Sequence, residues 1–137
     1  MTMHEAPTIL IVDDSQQARL DLTKFFRRSF INATIHSVET YDLAKKKIEQ
    51  GKFDIISLDG DLPDFKRGYS LIPLIRQCQN PDCKIIMISG QSNHVAEGII
   101  LGADLGFTKY QIEVHDNKAF KLSENFELVS TKQTVSV

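Results

Sequence analysis

No apolar run in this 137-residue chain approaches the ~18 residues that a membrane-crossing helix needs. The opening stretch, Met1 to Pro7, is too short and polar for a secretory signal. The expectation is a chain without membrane contact. An excess of either charge is missing too. Sixteen Lys and Arg stand against 18 Asp and Glu, a net of −2 that leaves no electrostatic footprint for nucleic acid. Cysteine is scarce: Cys78 and Cys83 stand alone, without a CxxC or metal-ligand spacing, and read as reduced thiols of a cytoplasmic protein. There is no internal repeat and no low-complexity segment. The 42% hydrophobic and 25% charged residues that remain suit one globular domain with its own core.

What is present is an alternation of two periodicities. Continuous apolar runs at Ile9 to Val12, Ile55 to Leu58 and Ile85 to Ile88 fit strands buried on both faces of a parallel sheet. Ala33 to Val38 and Leu105 to Thr108 are weaker strands, so five β units are expected. Between them lie helical patterns. Ser15 is an N-cap for a helix whose inner face carries Ala18, Leu22, Phe25, Phe26 and Ser29, with Arg27 and Arg28 toward solvent. Thr40 caps a second helix with Leu43, Ala44 and Ile48 inward and Gly51 as its stop, and Lys45 to Lys47 form a solvated face. Ser70 opens a third helix through Gln79, where Pro73 is tolerated in the first turn. Ser92 opens a fourth, with Val95, Ala96, Ile99 and Ile100 apolar and Gly102 at its end. Beyond Tyr110 no clean stripe continues. Asp116 offers a cap for a short helix with Ala119 and Phe120, and Glu127 to Val137 reads as a strand or loose tail.

The strands end in chemistry. Asp13-Asp14, Asp59, Ser89 and Lys109 each follow an apolar run, and ligands of open parallel sheets sit beyond the carboxyl ends of the strands. Neighbouring strands lie ~4.8 Å apart, so these carboxylates would crowd one another. Crowding raises a carboxyl pKa or demands a cation, and oxygen ligands suit a hard divalent ion, Mg²⁺ above all. A lysine ammonium and a serine hydroxyl complete a site suited to phosphate, and an Asp carboxylate is itself a nucleophile toward phosphorus. Taken singly, an Asp or Ser after a strand is a turn residue and a Lys a surface charge. The ordered combination carries the functional reading.

ILIVDDS (Ile9 to Ser15), ISLDGDLP (Ile56 to Pro63), IIMISG (Ile85 to Gly90) and GADLGFTK (Gly102 to Lys109) resemble the receiver domain of two-component response regulators. The resemblance implies a doubly wound, flavodoxin-like α/β fold with a five-stranded parallel sheet of order 2-1-3-4-5. The receiver core would span residues 8–110, and residues 111–137 would form an irregular fifth helix or tail of the same domain. It further implies that Asp59 accepts a phosphoryl group from a histidine kinase or phosphotransfer protein. Asp14 would bind Mg²⁺ directly, Asp13 directly or through water, and the Asp61 backbone carbonyl would complete the ligands. Ser89 would be the switch hydroxyl and Lys109 the phosphoryl contact. With 28 residues after Lys109, a stand-alone receiver that signals through protein contacts is expected.

Four features depart from that pattern. Gly106 stands where an aromatic switch residue is expected, and alternation sends Phe107 to the opposite face. Any signal is then expected to pass through Ser89 and the helix from Ser92 to Leu101. Tyr110 replaces a proline, so the Lys109–Tyr110 bond should be trans. Pro63 and Gly68 are one residue further apart than usual, placing Lys66-Arg67 beside the site. Finally, Phe120, Phe126, Leu128 and Val129 need cover, either against their own sheet or in a homodimer. Two functions compete with the phosphoacceptor. One is a receiver-shaped binding module that works without phosphorylation. The other is a haloacid-dehalogenase-like phosphatase using Asp59 and Asp61, although in that family the Asp-x-Asp precedes the acidic pair. The Asp61 carboxylate is equally readable as a general base for water or as a solvent-facing charge.

Overall fold

Aliphatic residues without a polar partner at every second position cannot sit at a solvated face, and here both faces of the central strands are covered. The computed structural model describes residues 6–112 and 120–130. Strand β1 (Thr8–Val12) leads to α1 (Gln16–Ser29), β2 (Thr34–Val38), α2 (Tyr41–Gln50) and β3 (Ile55–Leu58). A 3-10 turn at Gly68–Leu71 then runs into α3 (Ile72–Cys78), followed by β4 (Lys84–Ser89), α4 (Ser92–Ile100), β5 (Leu105–Thr108) and α5 (Lys109–Ile112). Two short strands follow, β6 (Phe120–Leu122) and β7 (Leu128–Ser130). The five-stranded sheet is parallel throughout, in the order β2-β1-β3-β4-β5 that the family resemblance implies.

Two cores flank it. On one face Leu10, Val12, Ile56, Leu58, Ile85 and Met87 meet α2 and α3, through Ala44, Ile48, Ile72 and Ile75. On the other, Ile9, Ile11, Ile55, Ile86 and Ile88 meet Leu22, Phe25 and Phe26 of α1 and Phe30 just beyond it. Ser15 and Thr40 cap α1 and α2 as their side-chain oxygens accept from Ala18 and Leu43 main-chain N–H groups at 3.2 Å each. Cys78 and Cys83 are free thiols, and burial pushes Cys83 up to about 12, where it stays protonated. Among the described residues, no helix is long and apolar enough to cross a membrane.

Several expectations need correction. Leu43 is exposed, because Ala44 and Ile48, four residues apart on one face of α2, are the pair turned to the core. Ser70 caps nothing: the chain enters α3 through the 3-10 turn, with Leu71 in the cap position and no side-chain cap bond. Helix α4 presents a different face from the one its apolar residues suggest. His94 and Gly98 are buried, whereas Ala96 is exposed and Ile99 and Ile100 are 45% and 76% exposed. The reason is steric. A Cβ on Gly98 would stand 2.1 Å from Met87 Cγ, so a residue without one lets the helix lie flush on β4.

The C-terminal segment also differs. A four-residue α5 replaces the fifth helix, and Phe120 belongs to an antiparallel hairpin of β6 and β7, not to a helix. The Asp116 cap lies outside the described residues. Leu122 is buried with the α1 core, and Phe120, Phe126 and Leu128 pack against it. Arg28 is drawn in from solvent, as its Nε donates to the Phe120 carbonyl at 3.0 Å. Ser29 Oγ accepts from the Leu122 N–H at 2.8 Å. Phe120, Phe126 and Leu128, three of the four residues that needed cover, thus pack against their own core.

Candidate functional site

Sheet register brings the site together. Val12 pairs with Leu58, so Asp13 and Asp59, the next residue of each strand, emerge side by side. Ser89 pairs with Thr108 on the other side of Asp59, and Lys109 follows directly. Carboxylate oxygens of Asp13, Asp14 and Asp59 lie within 4.8 Å of one another. Lys109 Nζ reaches across at 2.8 Å from Asp13 Oδ2 and 3.5 Å from Asp59 Oδ2. Asp13, Asp59 and Ser89 are buried, whereas Asp14 is exposed and opens the cluster to solvent.

Each group is held by local structure. Asp13 Oδ1 accepts from the Ser15 N–H at 2.9 Å, and its carbonyl accepts from Arg19 Nη1 at 2.9 Å. Ser89 Oγ accepts from the Gln91 N–H at 3.2 Å, in the turn that starts α4. The Lys109–Tyr110 bond is trans, since no cis peptide occurs among the described residues. Thr108 and Gln111 exchange bonds, with the Thr108 N–H donating to Gln111 Oε1 at 2.8 Å and the Gln111 N–H to Thr108 Oγ1 at 3.4 Å. That reciprocal cap starts α5 at the lysine itself and orients it. The redrawn loop keeps the ammonium on the carboxylates.

The charge balance is uneven, with three carboxylates against one ammonium. Burial, reinforced by Asp13 and Asp14 against Lys109 and the Asp61 N–H, pushes the Asp59 carboxyl up to about 6. Burial pulls Lys109 down, yet Asp13 and Asp59 outweigh it, and its pKa rises. This cluster of carboxylate oxygens, with the Asp59 carboxyl held above its usual range, fits a hard divalent cation, which would relieve the repulsion. The Asp61 carboxylate stands apart from this cluster: it is exposed and ion-paired with Arg67 at 2.5 Å.

The longer loop from Pro63 to Gly68 closes on itself, with Leu62 bridging to Lys66 and left-handed backbone at Asp64 and Phe65. Lys66 Nζ lies 5.4 Å from the Tyr41 ring centroid. At the base of this loop a Cβ on Gly68 would sit 1.8 Å from the Asp59 carbonyl oxygen, so only glycine lets the loop return under the acidic residue. Sequence reasoning passed over His94. It is buried, and its Cβ would lie 2.4 Å from a Cβ added to Gly60. The available signal was its spacing of four from Gly98, which puts both on one helix face. Phe107 belongs to the α1 side, as alternation required, and Gly106 faces Val95 of α4.

This arrangement has known counterparts. The model of the response regulator receiver domain family matches residues 9–115. A receiver domain protein (CheY-like) from Methanospirillum hungatei JF-1 is similar at 30% identity and a TM-score of 0.63, over 77% of this chain and 82% of that one. A response regulator from Burkholderia pseudomallei, solved with a phosphorylated aspartic acid, a calcium ion and citrate, is 25% identical with a TM-score of 0.65. That match covers 74% of this chain and 59% of the other. A protein-glutamate methylesterase/protein-glutamine glutaminase of Maricaulis maris (strain MCS10) is 29% identical over 107 residues, 78% of this chain. The chain spans only 26% of that relative's length.

Proposed function

The chain belongs to the response regulator receiver domain family, and on that premise we propose that Asp59 accepts a phosphoryl group from a histidine kinase or phosphotransfer protein, with Mg²⁺ bound beside it. The observation that carries this reading is the set of three carboxylates within 4.8 Å, faced by Lys109. The phosphorylated aspartic acid and calcium ion of the Burkholderia pseudomallei relative support it by analogy. Residues 8–110 are taken as the receiver core, residues 111–137 as a continuation of the same domain, and the cytoplasm as its compartment.

In the proposed step an Asp59 carboxylate oxygen bonds to phosphorus as the donor's P–N bond breaks. Asp13 and Asp14, with the Asp61 main-chain carbonyl, would hold the ion. Once bound, Mg²⁺ supplies positive charge to the phosphoryl oxygens as negative charge spreads over them. Lys109 contributes a second positive charge, already placed by its bond to Asp13. Ser89, buried at the end of β4, offers its hydroxyl proton to a phosphoryl oxygen and thereby ties the modified aspartate to the turn before α4. The chain would catalyse only its own phosphorylation and dephosphorylation. The pairing of the Asp61 side chain with Arg67 removes it from the acidic cluster, which weakens the Asp-x-Asp phosphatase reading.

Intact-mass measurement with acetyl phosphate tests the proposal. The expected result is one added phosphoryl group in the presence of Mg²⁺, none in EDTA, and none in Asp59→Ala. An unmodified wild-type chain with Mg²⁺ would leave the phosphorylation-independent binding module as the better reading. Sustained hydrolysis of phosphate esters would favour the phosphatase.

A further inference from the structure

We infer that His94 is the positioning residue through which the phosphoacceptor turn and helix α4 are coupled, standing in for the aromatic residue that β5 lacks. The inference rests on the phosphoacceptor reading of Asp59 and deepens it.

Gly106 has no room for a larger side chain. A Cβ there would stand 2.4 Å from Val95 Cγ1 and 3.3 Å from Ile99 Cδ1. The space an aromatic ring would need beside β5 is therefore filled by α4 itself. Gly98 does the same on β4, where a Cβ would meet Met87 Cγ at 2.1 Å. Two glycines, one on the helix and one on the sheet, let α4 lie flush against both strands. A ring that swings in and out of a slot has nowhere to move.

Another contact is available at the N-terminal end of the same helix. The backbone of Gly60, the residue after Asp59, packs on the His94 side chain, whose Cβ, Cγ and Nδ1 would lie 2.4, 2.7 and 2.7 Å from a Gly60 Cβ. His94 is 6% exposed, and its Nδ1 has no hydrogen-bond partner among the described residues. Leaving a buried polar atom unpaired is costly, so a rearrangement that supplies a partner is favoured. The Tyr69 ring lies 5.9 Å away, on the 3-10 turn entered from Gly68, which itself bonds the Gly60 carbonyl through its N–H at 3.2 Å. His94 is thus enclosed between the turn that carries the phosphoacceptor and the segment that follows it.

Ser89 pulls on the start of α4 from one side when the phosphoryl group arrives, and Gly60 pushes on His94 from the other. The imidazole converts a displacement of the Asp59–Asp61 turn into one of α4, and its Nδ1 acquires a partner in the phosphorylated state. Coupling of this kind is reciprocal in free energy. A partner that holds α4 in the displaced position would therefore also favour the phosphorylated aspartate.

The test uses the full chain with acetyl phosphate and Mg²⁺, and three readouts. Intact mass reports phosphorylation, long-range proton–nitrogen spectra report the imidazoles, and hydrogen exchange reports residues 92–100. In phosphorylated wild type the His94 Nδ1 resonance shifts, the His36 resonances stay, and exchange in α4 changes. His94→Phe keeps a ring against Gly60 without the nitrogen. It is expected to gain the same mass while losing at least half of the α4 response. A phosphorylated wild-type chain with an unmoved Nδ1 overturns the inference without need of any variant, as does an undiminished α4 response in His94→Phe. A wild-type chain that gains no mass overturns the phosphoacceptor reading and this inference with it.

Discussion

Asp59 is the residue at which burial and charge conflict most sharply. Its folded-state carboxyl is raised from 3.8 to about 6, first by desolvation and then by Asp13. Between those two values the folded chain binds a proton that the unfolded chain has released. Stability is therefore lost as pH rises through the window, by an amount on the order of 2 to 3 kcal/mol in metal-free protein. Urea denaturation in EDTA from pH 4 to 7 should show this decline in wild type and a flatter profile in Asp59→Asn. Adding Mg²⁺ at pH 7 should restore more stability to wild type than to the variant, because only the former has the full set of carboxylates to relieve. Equal stabilisation would place the ion elsewhere. Gly68 makes the second residue-scale prediction. A Cβ 1.8 Å from the Asp59 carbonyl must displace backbone, so Gly68→Ala should destabilise by roughly 1 to 3 kcal/mol or more. Its phosphorylation by acetyl phosphate should fall along with its denaturation midpoint.

Among the elements, α4 and the C-terminal hairpin depart furthest from what their sequences suggest. The apolar stripe of α4 pointed to Val95, Ala96, Ile99 and Ile100, yet glycine decided the packing, because closeness of approach outweighs side-chain hydrophobicity when the neighbour is a flat sheet. Gly106→Ala should therefore cost roughly 1 to 3 kcal/mol through the clash with Val95, as measured by denaturant unfolding. A neutral result would mean that α4 has slack against β5. The hairpin is held by the last turn of α1, where Ser29 Oγ accepts from Leu122 and donates to the Phe25 carbonyl at 2.9 Å. Ser29→Ala should loosen it by about 1 kcal/mol, seen as faster hydrogen exchange in residues 120–130 with α4 unaffected.

For the whole molecule, the hairpin completes the α1 side of the sheet. Phe120, Leu122, Phe126 and Leu128 together bury enough apolar surface that removing residues 113–137 should cost at least ~3 kcal/mol. A truncated chain that unfolds at the wild-type midpoint would show the hairpin to be an appendage. The parallel sheet and the meeting of Asp13, Asp14, Asp59 and Lys109 at the ends of its strands were legible in the sequence, whereas the strand order came from the family resemblance. Strand-end position is a local property, read from where an apolar run stops, and parallel pairing aligns those ends in space. By itself, then, the sequence determined the sheet and which chemical groups gather at its edge. Only the tertiary structure decided that His94 faces Gly60, that Gly98 and Gly106 seat α4 flush on the sheet, and that Arg28 and Ser29 hold the hairpin. These are contacts between segments far apart in the chain, set by how closely two backbones can approach, and no local periodicity encodes that distance.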